Sequence, residues 1–107
     1  MRPGLTREAR VFRALAHPTR LAILQILRHR PVCVCHLTTA LSCTQPYVSQ
    51  HLAVLRQRKV VVTRREGLNI HYRISNPKII KACNLMRQVL VEQLQAGHRL
   101  TKRLKAK

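Results

Sequence analysis

Acidic residues are almost missing from this sequence of 107 residues, which contains only Glu8, Glu66 and Glu92 and no aspartate. Most hydrolytic mechanisms use paired carboxylates, and the sequence offers no such pair. A cysteine enzyme, with His29 or His36 activating Cys33, lacks a third orienting residue and an oxyanion-hole pattern. We therefore expect a binding protein and not an enzyme.

Aromatic residues are also scarce, because the sequence has one Phe, two Tyr and no Trp. The core must therefore be aliphatic. No apolar run approaches the roughly 20 residues that cross a bilayer, and the first residues lack the apolar segment of a secretory signal. We expect one small domain over residues 1–107, without membrane association, in a reducing cytoplasm where the four cysteines are thiols or metal ligands.

Basic residues are abundant instead: 21 Lys and Arg give a net charge of +18. A folded domain with this charge favours a polyanionic partner, either DNA or RNA. The terminal run of residues 98–107 forms a basic tail that is expected to strengthen such binding without adding specificity. A small RNA-binding protein is therefore one alternative, although it leaves the cysteines unexplained.

Apolar periodicity predicts a mainly α-helical fold with a small β-hairpin, in the order of a winged helix-turn-helix. Strands are expected where β-branched or alternating apolar residues occur, with a hairpin tip between them. The predicted helices cover about residues 7–16, 18–29, 33–41, a segment beginning after the N-cap Thr44, and 78–103; the strands lie near 60–63 and 70–74.

The fourth helix is predicted to read DNA, because Val48, Leu52 and Leu55 form a buried stripe and leave a polar face outward. Gln50 on that face has the two groups needed to pair with adenine. Arginines on the hairpin suit phosphates or the minor groove. The DNA-binding candidates are Thr44, Gln45, Tyr47, Ser49, Gln50 and His51 on the helix, and Arg64, Arg65 and Arg73 on the hairpin.

Four segments of the sequence form a recognisable set: Ala14–Leu24 (ALAHPTRLAIL), Val32–Leu37 (VCVCHL), Gln45–Arg56, and the hairpin residues 64–67 with 72–74. Together they resemble the ArsR/SmtB family of repressors, in which the first two segments are similar to ALADPTRLRIL and LCVCDL. The resemblance implies a cytoplasmic homodimer that binds double-stranded operator DNA and is released by a metal, metalloid or redox signal. It also implies a dimer interface on the first and last helices, including Phe12, Leu15 and the apolar stripe from Ile79 to Leu94.

Cys33 and Cys35 match the inducer box of this family, so the resemblance implies As(III) or Sb(III) as inducer. The family often has a third cysteine where this chain has Thr38; Cys43 and Cys83 are the candidates to replace it. Zn(II) or Cd(II) is an alternative, with His36 as a suitable ligand. Residues two apart on a regular helix point to opposite sides, so the pair shares one ion only if the first turn is irregular.

A thiol redox or persulfide sensor is the second alternative, with Cys33 or Cys35 pairing with Cys83 of the last helix. The family's zinc site on the last helix is not expected here, because its Asp and His ligands are absent. Of the remaining histidines, His17, His29 and His71 have no spacing partners and are predicted to be surface or capping residues.

Overall fold

The computed structural model describes residues 2–106, of which Ala106 is described by its backbone alone. They form the mainly helical arrangement with a hairpin that the sequence predicts. Met1 and Lys107 of the expected 1–107 domain, the latter also in the expected basic tail, lie outside the described residues. The elements are α1 (Pro3–Leu15), α2 (Pro18–Leu27), β1 (Val32–Cys33), α3 (Val34–Leu41), α4 (Gln45–Gln57), β2 (Val61–Glu66), β3 (Asn69–Ile74) and α5 (Lys78–Ala106).

The elements from α1 to β3 form one compact unit, and α5 forms a second. The core of the first unit is wholly aliphatic, as expected from the shortage of aromatics. Helix α4 packs against α2, α3 and β2 and so lies at the centre of this unit. The buried apolar residues are Ala14, Ile23, Leu24, Leu27, Val32, Leu37, Val48, Leu52, Leu55, Val60 and Val61.

The sheet is antiparallel with the strand order β1-β3-β2. Strand β1 was not predicted, because two residues are too few to show an alternating pattern. In the register of the sheet, Cys33 lies opposite His71, and His71 lies opposite Arg64 on its other side. The cysteine segment is therefore joined to the hairpin by backbone pairing.

Element boundaries differ from the prediction at several ends. Helix α1 begins at Pro3 and not at Arg7, since proline is well suited to the first helical turn. Helix α2 ends at Leu27, two residues early. Strand β2 continues to Glu66 because Arg64 and Arg65 pair with β3.

Helix α5 is 29 residues long and continues three residues beyond the predicted end. Of the apolar stripe predicted on this helix, Ile79 and Cys83 are half-buried. No helix within residues 2–106 is long and apolar enough to cross a membrane. The exposed large apolar side chains of α5 are Leu85, Met86, Val89, Leu90, Val91, Leu94, Leu100 and Leu104.

Candidate nucleic-acid interface and cysteine site

Helix α4 begins where its sequence favours a helix start. Thr44 has an extended backbone and stands at the N-cap, although its side chain makes no capping hydrogen bond. Pro46 lies in the first turn, where a missing N–H breaks no helical hydrogen bond. Val48, Leu52 and Leu55 are at most 1% exposed, so the predicted buried stripe is confirmed.

The opposite face of α4 is polar and accessible. Thr44, Gln45, Ser49 and Gln50 are all exposed there. Beside this face lies an open depression of about 400 Å³, lined by Ser49, Ala53, Arg56, Gln57 and Tyr72. A helix that presents amides and hydroxyls beside an open groove has the form of an element that reads base edges.

The side chains of Tyr47 and His51, which the sequence predicts to contact DNA, also make contacts within the protein. The Tyr47 hydroxyl lies 3.0 Å from Oγ1 of Thr19 on α2. The imidazole of His51 is half-buried and lies against both Tyr47 and His17. These two side chains therefore connect α4 to the start of α2 as well as lying near the polar face.

The hairpin of β2 and β3, which we call the wing, carries the three predicted arginines in exposed positions. The register places Arg64 and Arg73 on one face of the hairpin and Arg65 on the other. Glu66 lies 3.9 Å from Nε of Arg64, so this arginine is partly neutralised. The turn is only two residues long and uses Gly67 at a φ of +61°, a conformation that favours glycine.

The Sγ atoms of Cys33 and Cys35 lie 2.8 Å apart. The regular-helix geometry considered from the sequence does not apply, because Cys33 is the N-cap of α3, with φ −83° and ψ 165° in extended conformation. Its side chain therefore does not follow the helical rotation of 100° per residue. The pair faces one point without any unwinding of the helix.

The two thiols differ in acidity. Hydrogen bonding from the Cys35 thiol, followed by the backbone N–H of His36, lowers the pKa of Cys33. The same contact raises the pKa of Cys35, because its proton is shared with the neighbouring sulfur. Hydrogen bonds thus favour a thiolate at Cys33.

The other two cysteines, Cys43 and Cys83, differ from this pair in burial and hydrogen bonding. Cys43 is half-buried, and its Sγ donates to the carbonyl oxygen of Leu41 at 3.3 Å. Burial raises the pKa of Cys83 on α5, with a smaller opposing effect of Arg87. Within residues 2–106 no group of three His, Cys, Asp or Glu side chains is placed to hold a metal ion. The described chain therefore brings together two thiols, Cys33 and Cys35.

The comparison with protein families gives a match over residues 17–61 to the bacterial regulatory proteins of the arsR family. The chain is 39% identical over 83 residues to the arsenic resistance transcriptional regulator ArsR2 of Pseudomonas putida, and this covers 77% of this chain and 71% of that protein. The chain belongs to the ArsR family. This confirms the resemblance and places the VCVC segment inside the matched region.

Two other ArsR-family matches are informative. The arsenical resistance operon repressor of Escherichia coli is 44% identical over 66 residues, 61% of this chain, and the chain spans only 56% of that repressor's length. The homodimeric winged helix-turn-helix DNA-binding domain Mb0332 of Mycobacterium bovis superposes with a TM-score of 0.78 at 33% identity, covering 85% of this chain and 84% of that one. The predicted winged helix-turn-helix fold is confirmed.

Proposed function

We propose that this ArsR-family chain is a homodimeric, cytoplasmic repressor that binds operator DNA and is released when a thiophilic ion, As(III) or Sb(III), binds Cys33 and Cys35. The observation that carries the proposal is the pair of sulfur atoms 2.8 Å apart in the same compact unit as the exposed reading helix. Two regulators similar to this chain are described as arsenic or arsenical resistance proteins.

The DNA-binding part of the proposal, which we call the DNA arm, rests on α4, on the wing and on the net positive charge. The exposed face of α4 supplies Gln45, Ser49 and Gln50 to contact base edges, and the wing supplies arginines to contact the sugar-phosphate backbone of DNA. A net charge of +18 provides the non-specific attraction on which such reading depends. One copy reads one half-site, so the exposed apolar side chains of α5, such as Met86 and Leu90, are proposed to join two copies.

The inducer-binding part of the proposal, the inducer arm, rests on the chemistry of the Cys33–Cys35 pair. Soft, thiophilic ions select thiolates, and the pKa of Cys33 is lowered so that one thiolate forms readily. The third position on the ion is filled from outside the described pair, by solvent, by another cysteine or by a second copy. Zn(II) and Cd(II) are weaker candidates, since they are usually held by four protein ligands in closed sites.

The sheet supplies a physical connection between the two arms. An As(III) or Sb(III) ion bonded to both sulfurs holds them farther apart than the 2.8 Å of the free pair, so the pair must open when the ion binds. Cys33 belongs to β1 and lies opposite His71 of the wing, while α3 begins at the next residue. Opening the pair therefore displaces both the edge of the wing sheet and the partner of α4.

The DNA arm is tested with a duplex selected from a random library by the purified chain. Gln50→Ala should lower the preference for the selected duplex over random DNA by about 1–3 kcal/mol. Arg65→Ala should instead weaken both duplexes and reduce the salt slope by about 0.9. Equal loss on both duplexes for Gln50→Ala would remove α4 from the reading role.

The inducer arm is tested on the same duplex with arsenite, Zn(II) and a persulfide donor. Cys33→Ser and Cys35→Ser should bind DNA almost normally, since neither thiol lies on the reading face, yet fail to be released by arsenite. Cys43→Ser is the matched control and should respond normally. Release of the double variant Cys33→Ser/Cys35→Ser by arsenite contradicts the metalloid assignment.

The persulfide alternative makes a different prediction for Cys83→Ser. If Cys83 pairs with a cysteine of the α3 start, this variant should lose the response to persulfide; under the metalloid proposal it keeps the response to arsenite. The raised pKa of the Cys83 thiol makes it a poor nucleophile and so favours the metalloid proposal.

A further inference from the structure

A small polar cluster joins the start of α2 to the middle of α4. His17 is the N-cap of α2, and its Nδ1 accepts a hydrogen bond from the backbone N–H of Thr19 at 3.1 Å. Only an unprotonated Nδ1 can accept, so the cap exists only while the His17 imidazole is neutral. Protonation would remove an acceptor and place a cation at the positive end of the helix dipole.

The ring of His17 also contacts the reading helix. The ring centroids of His17 and His51 lie 4.3 Å apart, with an angle of 41° between the planes. Tyr47, one turn earlier on α4, packs edge-on against His51 at 4.7 Å, and its hydroxyl reaches Thr19 of α2 at 3.0 Å. The start of α2 and the first two turns of α4 therefore share two side-chain contacts, and the Tyr47–His51 contact within α4 connects them.

The charges around this cluster are all of one sign. Burial lowers the pKa of His51, and the nearby His17 and Arg20 lower it further. Among the described residues no carboxylate contributes to that shift, and the remaining titratable neighbour is the Tyr47 phenol. A proton added to the His51 imidazole is thus not compensated by an opposite charge.

We propose that the His17–His51 contact holds the reading helix in position only while the His51 imidazole is neutral, so that mild acid weakens specific DNA binding by this chain. The proposal rests on the proposed function for its DNA readout but not for its protonation chemistry. Non-specific attraction acts on every duplex alike, so the ratio of specific to random affinity isolates the effect of the histidine contact. We expect this ratio to fall as the pH falls.

Three histidine substitutions, one of them a control, test the role of the His17–His51 contact. Aspartate is among the best N-cap residues, so His17→Asp keeps the cap of α2 and removes the ring that faces His51. His51→Gln removes the second titrating ring while keeping a polar side chain of similar length. His98→Gln, at an exposed position on α5, is the control for loss of a histidine in general.

The first measurement requires no DNA. Imidazole NMR titration of the full chain should give His51 a pKa below 6.5. The folded state then binds fewer protons than the unfolded state, so the free energy of unfolding decreases as the pH falls below about 6.5 and levels off below the folded pKa. The decrease should be smaller in His17→Asp/His51→Gln and unchanged in His98→Gln. A His51 pKa at or above 6.5 overturns the proposal.

The second measurement uses the duplex selected at pH 7.5 and a random duplex, by fluorescence anisotropy at constant ionic strength. In the wild type the ratio of the two affinities should fall between pH 7.5 and 5.5, by up to about tenfold per pH unit for each proton taken up. In His17→Asp/His51→Gln it should stay within about twofold. A constant wild-type ratio, or an equal fall in the double variant, overturns the proposal. Failure to select any duplex at pH 7.5 contradicts the proposed function and leaves the titration result standing.

Discussion

The buried stripe of α4 allows a sharp test of how this helix is held in the first unit. Leu52 is 1% exposed in the centre of the first unit, while Leu68 at the wing tip is 97% exposed. The substitutions Leu52→Ala and Leu68→Ala remove the same atoms from opposite environments. Truncating a buried leucine loses its transfer free energy and leaves a cavity, for which about 3 kcal/mol is typical. Exposed truncations stay within about 0.5 kcal/mol.

Thermal unfolding followed by circular dichroism measures the difference. For a domain of this size 1 kcal/mol corresponds to about 4–8 °C, so Leu52→Ala should lower Tm by about 12–24 °C and Leu68→Ala by no more than about 4 °C. Both proteins must be compared at one concentration, because association contributes to Tm. Similar shifts for the two variants would show that α4 is not anchored by this stripe, and the argument for its orientation would fail.

Three further predictions concern other parts of the chain. Met86→Glu places a carboxylate on the apolar face of α5, so sedimentation should show monomers and binding to the selected duplex should be lost; a normal dimer would exclude this face from the interface. Cys35→Ala removes the S–H that stabilises the Cys33 thiolate. The pH profile of Cys33 alkylation, measured by mass spectrometry, should therefore move to higher pH; an unchanged profile would show that backbone N–H groups lower the pKa of Cys33. Gly67→Ala forces a left-handed backbone on alanine and should lower the free energy of unfolding by about 1 kcal/mol, measured in urea, whereas Gly4→Ala, in open space on α1, should not lower it.

Periodicity predicted the elements that are long enough to show a pattern. The stripe of Val48, Leu52 and Leu55 could be found because three burials at helical spacing leave a clear signal. Strand β1 could not, since its two residues are fixed by pairing with β3, a contact about 40 residues away in the sequence. For the same reason the extension of β2 through its arginines was missed.

The candidate site residues were predicted from residue type and not from geometry. The Cys-Val-Cys pair is visible in the sequence, but its convergence depends on the extended backbone of Cys33, which the edge pairing of β1 imposes. The capping role predicted for His17 is confirmed by its hydrogen bond to Thr19. Its contact with His51, 34 residues away, arises from the packing of α2 against α4 and has no local signal in the sequence.

The sheet also determines which part of the proposed switch yields first. Cys33, His71 and Arg64 lie directly opposite one another across the three strands, so their side chains share one face of the sheet. Strand β1 is held to β3 over two residue pairs, whereas β2 is held to β3 over six. Under the proposed function we therefore expect an ion that opens the cysteine pair to separate β1 from β3 before it disturbs the hairpin itself. The wing keeps its shape and its packing against α4 through β2, so the expected effect is a shift of the wing edge next to β1.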